Sequence, residues 1–142
     1  MMLKVLVPVD GSANSDRVID HLMREHGSGE AVELHLLNVQ IPVDSGHARM
    51  FVSGGDVEAY HREEGMQALR KAREKLDAAD MTYTWHVAVG HVADTIVRLA
   101  RELDCDRIVM GTHGRSALTH LLLGSVASEV SRSASVPVML VK

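Results

Sequence analysis

Apolar residues along the chain follow two alternating periods, one typical of buried strands and one typical of helices. Leu3 to Val9 is a short, nearly continuous apolar run, the pattern of a strand that helices cover on both faces. Asp10 to Ser12 ends it, and apolar side chains then recur at helical spacing from Val18 to Met23. Ser12 or Ser15 can cap this helix. The first segment is therefore a β-α unit whose strand belongs in the middle of a parallel sheet.

The same alternation continues through the rest of the chain. Residues 44–56 carry few large apolar side chains and predict an exposed connection. A long helical pattern follows, with Tyr60, Leu69 and Leu76 on one apolar stripe. The pattern predicts further strands at 34–39, 83–89, 108–110 and 136–141, and further helices at 57–79, 92–103 and 126–133. Five strands alternating with four helices predict an open, mostly parallel, doubly wound α/β sheet, in one domain that spans residues 1–142.

A glycine-rich connection lies between the fourth strand and the fourth helix. Gly111 and Gly114 are separated by two residues, and Gly124-Ser125 follows after nine more. Glycine permits positive φ angles and lets a ligand approach the backbone, and a helix start offers unpaired N–H groups to an anion. Ser125 either donates a hydroxyl hydrogen bond or caps the helix. This stretch predicts a phosphate-binding loop.

Composition excludes several classes of protein. The net charge of −4 gives no electrostatic footprint for nucleic-acid binding, and no apolar run approaches the roughly 20 residues that span a bilayer. We therefore expect no nucleic-acid or membrane partner. The amino-terminal residues read as a strand rather than an export signal, and the single Cys105 excludes an internal disulfide. Both observations favour a cytoplasmic location.

Other catalytic and metal motifs are missing or weak. The chain has no G-x-x-x-x-G-K-[ST] loop and no G-x-G-x-x-G after the first strand, which argues against a P-loop NTPase and a dinucleotide enzyme. Nine histidines are scattered without ligand spacing, so no metal site is expected. His113 is the one histidine whose position suggests a functional role, since it lies between two glycines of the predicted phosphate-binding loop. Cys105 precedes an apolar strand and is expected to be a small buried hydrophobe rather than a nucleophile.

Two segments together resemble the universal stress protein family, in its nucleotide-binding branch. One is the glycine motif after Ile108-Val109-Met110, followed by the strand 137–141, and the other is Val5 to Ser12. The resemblance covers nearly the whole chain. It implies a Rossmann-like fold, related to the adenine nucleotide alpha hydrolases, with strand order 3-2-1-4-5. In that order the first and fourth strands are neighbours at the topological switch point, where such sheets bind ligands.

The resemblance also implies a nucleotide site, residue by residue. Gly111, Gly114, Gly124 and Ser125 would hold the phosphates through backbone N–H groups. Asp10 would accept hydrogen bonds from ribose or adenine, with helix capping as the alternative role, and Val39 would contact adenine through its main chain. Arg115 either neutralises phosphate or faces solvent. The remaining implied residues line the pocket: Pro8, Val9, Met110 and Val126. Gly90, at a strand end near the same crevice, is a secondary candidate.

This chain departs from the family pattern in two positions. Ala117 stands where a further glycine is common, and Val92 stands where proline usually starts the third helix. Neither position is expected to donate to the ligand, so both departures leave the implied site intact.

The function that the resemblance implies is an ATP-binding regulatory protein with little or no hydrolysis. AMP or cyclic AMP are alternative ligands, and Mg²⁺ or Mn²⁺ is an open possibility with the nucleotide. The family commonly forms homodimers through the last strand, and a further protein partner is expected. The competing interpretations are a slow ATPase, a nucleotide-free dimeric interaction module and, last, a receiver phosphorylated on Asp10.

Overall fold

A computed structural model describes residues 2–26, 31–42, 54–113 and 123–142. Strands and helices alternate, as the apolar pattern predicts: β1 (Leu3–Pro8), α1 (Ala13–His26), β2 (Val32–Gln40), α2 (Gly54–Ala78), β3 (Tyr83–Val89), α3 (Val92–Glu102), β4 (Arg107–Gly111), α4 (Ser125–Ser133) and β5 (Val138–Val141). The five strands form one parallel sheet in the order β3-β2-β1-β4-β5. The predicted fold class and strand order are confirmed.

The central strand β1 is buried on both faces because its side chains alternate between two hydrophobic cores. Val5 and Val7 pack against α1 and α2, in a core that includes Ile19 and Leu69. Leu6 points to the opposite face, where α3 and α4 cover the sheet. The near-continuous apolar sequence of β1 is therefore required by its position, since each side chain meets a helix layer.

Most element boundaries agree with the sequence pattern to within two residues, but α2 differs. The connection predicted at 44–56 is wrong at its end, because residues 54–56 already belong to α2. Asp56 lies in the first turn of that helix, where a carboxylate favours the amino-terminal end of the helix dipole. Residues 44–53 of the predicted connection lie outside the described residues.

No helix in the described ranges combines the length and apolar character that crossing a bilayer requires.

Helix α3 ends in a hydrogen-bonding pattern that sends the chain directly into β4. The Cys105 N–H donates to the Ala100 carbonyl at 2.9 Å, and the Asp104 N–H donates to Arg101 at 3.2 Å, the two bonds of a Schellman motif. This motif places Asp104 in the left-handed region, at φ 54°. A residue with a Cβ is strained there, and glycine is the residue usually found.

We predict that Asp104→Gly raises the free energy of unfolding by about 0.5 kcal/mol, because relief of backbone strain exceeds the entropy that glycine adds to the unfolded chain. Urea denaturation measures the change. The control of opposite sign is Glu102→Gly, at the exposed last residue of the same helix, which should lower stability by up to about 1 kcal/mol because it adds backbone entropy to the unfolded chain and removes the ion pair with Arg98. Two changes of the same sign would contradict this explanation.

Candidate functional site

A cavity of about 520 Å³ opens at the carboxyl ends of β1, β2 and β4. Its wall brings together segments that are far apart in the sequence, and it contains most of the residues that the sequence singled out. Those residues are Pro8, Val9, Asp10, Val39, Met110, Gly111, Gly124, Ser125 and Val126. Gly114 and Arg115 lie outside the described residues. The first and fourth strands are hydrogen-bonded neighbours, so the cavity lies at the topological switch point.

The same wall contains residues that the sequence did not single out. Tyr60 was predicted on the apolar stripe of α2, but its side chain is 49% exposed and lines the cavity. The next residue of α2, His61, is already buried, and the apolar contacts of the helix with the core are made by residues such as Leu69 and Leu76. Other lining residues are Ser15, Leu37, Asn38, Gln40, Ile41, Val92, Ile96, Thr112 and Ala127. Strand β2 also contains the polar residues Glu33 and His35, so no signal in the sequence sets Asn38 and Gln40 apart as site residues.

Asp10 is held in a tight turn between β1 and α1. Its Oδ1 accepts hydrogen bonds from the Ser12 N–H at 2.9 Å and from the Ser15 hydroxyl at 2.7 Å. Ser15 Oγ also accepts the Asp10 N–H at 3.0 Å. The helix cap is Ser12, whose Oγ accepts the Ser15 N–H at 3.3 Å, so Asp10 itself does not cap α1. Within the described residues, Oδ2 of Asp10 accepts no hydrogen bond, which leaves one carboxylate oxygen for a ligand.

Gly111 is required by close packing rather than by its backbone angles. Gly111 and Gly124 do not use the positive φ angles that glycine permits, since Gly11 is the one glycine with positive φ in the described part of the chain. A Cβ on Gly111 would lie 2.7 Å from Cγ of Asn14, a distance that real Cβ atoms do not show. The buried Asn14 in turn donates from Nδ2 to the His113 carbonyl. The absent side chain at 111 thus lets α1 fix the backbone that follows β4.

The amino terminus of α4 presents backbone N–H groups at the cavity. Gly124 is the N-cap residue, at φ −70° and ψ 164°, and no side chain caps the helix. Ser125 is therefore the first helical residue, and the capping role considered for it is wrong. The Gly124 N–H is used, since it donates to the Thr112 carbonyl at 2.6 Å. The first intrahelical bond comes from Ser128, so the amides of residues 125–127 precede the hydrogen-bonded part of the helix.

Two of the described histidines, His35 and His86, contact each other on neighbouring strands. His35 is buried in β2 and forms hydrogen bonds to Glu33 at 2.6 Å and to His86 at 3.0 Å. Burial, together with the charge of His35, lowers the pKa of His86. His113 lines the cavity, and its Nδ1 lies 3.1 Å from the Thr112 hydroxyl. In the ranges that the structure describes, no three His, Cys, Asp or Glu side chains cluster as metal ligands.

Cys105 is a packing residue, as the sequence indicates. Its side chain is buried among the residues of the α3 and α4 core. Burial raises the pKa of the thiol to about 11, so the thiolate that would act as a nucleophile is disfavoured.

A smaller cavity of about 430 Å³ adjoins the first one. It is lined by Gly90 and His91 from the start of α3 and by Glu129 from α4, and it shares Val92 and Ser125 with the larger cavity. The Gly90 N–H donates to the Gln40 carbonyl at 2.9 Å, and a Cβ on Gly90 would lie 2.8 Å from the Thr95 hydroxyl. The structure therefore assigns Gly90 a packing role beside the main cavity.

We predict that Gly111→Ala lowers the free energy of unfolding by about 1–3 kcal/mol, because the new methyl group must displace the buried Asn14 amide. Urea denaturation of the single and double variants tests this cause in a double-mutant cycle. In an Asn14→Ala background, the obstructing amide is gone, and the same substitution should cost much less. An equal cost in both backgrounds would contradict the steric explanation.

Comparison with known proteins agrees with this architecture. The family model described as "Universal stress protein family" matches residues 1–142. The chain is 30% identical to universal stress protein YxiE of Bacillus subtilis, over all of both chains. The structure superposes on MJ0577 of Methanocaldococcus jannaschii with a TM-score of 0.83 and 27% identity, covering 100% of this chain and 96% of that one. A universal stress protein in complex with cAMP gives a TM-score of 0.72 with 28% identity, covering 99% and 97%. The chain belongs to the universal stress protein family.

Proposed function

We propose that this protein is a regulatory adenine-nucleotide-binding protein that acts in stress response, with ATP as its main ligand and AMP or cyclic AMP as alternatives. The observation that carries the proposal is the cavity at the switch point, with a carboxylate at one side and a helix amino terminus at the other. Its volume is in the usual range for small-molecule sites, about 300–1,000 Å³. The cAMP complex of a related protein supports the same ligand class.

The phosphate end of the proposed site is the start of α4. Backbone amides of Ser125, Val126 and Ala127 point out of the helix end, where the helix dipole favours a negative charge. No side chain caps this end within the described residues, so an anion can approach the amides directly. Gly111 and Gly124 line the same region, and Gly114 and Arg115 complete the proposed phosphate set on sequence grounds.

The nucleoside end of the proposed site is formed by β1 and β2. The Leu37 carbonyl accepts the Val9 N–H at 2.8 Å, and the Gln40 carbonyl accepts from Gly90 on the opposite side of the strand. Main-chain groups point alternately to the two sides of a strand, so the N–H and C=O of Val39 point to the same side as the Leu37 carbonyl, toward β1. Val39 lies two residues beyond Leu37, the partner of the last paired residue of β1, Pro8. An adenine edge would satisfy these groups. Oδ2 of Asp10 remains for a ribose hydroxyl, and it is also the carboxylate nearest to any Mg²⁺ or Mn²⁺ that accompanies the phosphates.

The wider role proposed here is that of a nucleotide sensor rather than an efficient enzyme. Residues 1–142 act as one domain in the cytoplasm, the compartment that the single free Cys105 favours. Strand β5 is an edge strand, and its residues 138–141 are all half-buried apolar side chains. We propose that it pairs with β5 of a second copy, which removes an apolar edge from solvent. Nucleotide occupancy would then alter the surface offered to a further protein partner.

We predict that Gly124→Val weakens ATP binding at least about tenfold, because three added carbons stand beside the amides that receive the phosphates. The backbone at 124 is extended, a conformation that valine adopts readily, so the variant should fold. Isothermal titration with ATP measures the change. The matched control is Ala134→Val, at φ −68° and ψ 142° at the other end of α4, which should bind ATP like the unchanged protein. Unchanged affinity in Gly124→Val would contradict the proposed phosphate site.

Equilibrium dialysis combined with phosphate release separates the sensor from its competitors. We expect ATP to bind with negligible turnover, since Asp10 is the one carboxylate among the described cavity-lining residues and phosphoryl transfer needs a positioned nucleophile. Turnover that His113→Ala abolishes would instead indicate a slow ATPase. Absence of any binding to ATP, AMP and cyclic AMP would indicate a pure interaction module.

A further inference from the structure

Two amide side chains on β2 form a hydrogen-bonded chain that ends at the cavity. Asn38 is 4% exposed, and its Nδ2 donates to the Val9 carbonyl at 2.8 Å. Gln40 lies two residues further, on the same face of the strand, and its Nε2 donates to Oδ1 of Asn38 at 2.6 Å. Both residues line the cavity. The chain therefore runs from the end of β1, through a buried amide, to a half-buried amide beside the proposed nucleoside end.

The direction of this hydrogen-bonded chain is fixed by its first member. A backbone carbonyl can only accept, so Asn38 must turn its NH₂ group toward Val9 and its oxygen toward Gln40. That oxygen can also only accept, so Gln40 must turn its NH₂ group toward Asn38. The two hydrogen bonds thereby fix which atom of each amide is oxygen and which is nitrogen.

The side-chain oxygen of Gln40, Oε1, therefore remains available to accept a hydrogen bond from a ligand. Within the described residues, no protein group donates a hydrogen bond to Oε1 of Gln40. An acceptor that lines a cavity and has lost its freedom to turn selects for a donor on the ligand. A ligand that presented a second acceptor at this point would leave two lone pairs facing each other, at the cost of an unmade hydrogen bond.

We propose that Gln40 is a specificity-determining residue that recognises the nucleobase, with Oε1 accepting a hydrogen bond from the exocyclic amine of adenine. Asn38 is its positioning residue, because it holds the Gln40 amide in the one orientation that presents the acceptor. This assignment rests on the proposed adenine-nucleotide site and adds a side-chain contact to the main-chain contact at Val39. Hypoxanthine and guanine bear a carbonyl oxygen where adenine bears the amine, so the same oxygen disfavours both.

The test compares ATP with purine riboside 5′-triphosphate, which differs from ATP only by loss of the exocyclic amine. Isothermal titration of the full chain should show ATP binding at least about tenfold more tightly, the effect of one hydrogen bond to a half-buried acceptor added to any contact of the amine with the Val39 main chain. In Gln40→Met, which keeps the side-chain length and removes both polar atoms, this preference for ATP should shrink by about tenfold. Gln40→Ala must give the same reduction, and it replaces the methionine variant if that protein does not fold.

Gln67→Met is the matched control, because Gln67 is exposed on α2, is absent from the cavity wall and undergoes the same chemical change. It should keep the full preference for ATP. Equal binding of both ligands by the unchanged protein, or an undiminished preference for ATP in the Gln40 variants, would overturn the role of Gln40 and leave the nucleotide site standing. Failure of the unchanged protein to bind either triphosphate would overturn both the site and this inference.

Discussion

The reversal of strand order beside β1 is the constraint on which the rest of the structure depends. The chain leaves β1 toward α1 on one face, and α4, which follows β4, lies on the other face. Because β1 and β4 are hydrogen-bonded neighbours and the helices that follow them lie on opposite faces, a crevice opens at the carboxyl ends of the two strands. The cavity is thus a product of topology, and the fully buried side chains of Val5, Leu6 and Val7 make that topology stable.

The polar groups at this opening are held by partners that leave one hydrogen-bonding position unused. Asp10 is fixed through Oδ1 and keeps Oδ2, and Gln40 is fixed through Nε2 and keeps Oε1. At the amino terminus of α4, three backbone amides precede the first intrahelical hydrogen bond and are available to a ligand. Groups arranged in this way lose little conformational entropy when a ligand binds, which favours affinity for a small molecule with both a base and an anion.

Much of the fold could be predicted from the sequence, because the spacing of apolar residues in each element matches the residues that the structure buries. The valine-rich run of β1 is buried on both faces, and the spaced apolar residues of α1 all face the sheet. The start of α2 was missed, since Gly54 and Gly55 are poor helix formers and only the position of Asp56 hints at a helix there. Strand order came from family resemblance, because hydrophobic period says nothing of which strands are neighbours.

The site was predictable where it lies on connections and not where it lies within strands. Asp10, Gly111 and Gly124 stand at strand ends or helix starts, positions that the hydrophobic period locates. Asn38 and Gln40 alternate with apolar residues and so resemble the polar face of an exposed strand. Their role depends on the Val9 carbonyl of the neighbouring strand. The need for glycine at 111 likewise depends on Asn14, a residue distant in sequence that α1 brings against β4.

The central claim is that an adenine nucleotide lies between the ends of β1 and β2 and the start of α4. Backbone amide NMR of the labelled chain, titrated with ATP, tests it most directly. The account predicts saturable shifts at Asp10, Val39 and residues 125–127, with the amides at the opposite ends of the strands, such as Leu3 and Arg107, unchanged. Absence of shifts at millimolar ATP, or saturable shifts gathered away from the carboxyl ends of β1 and β4, would contradict it.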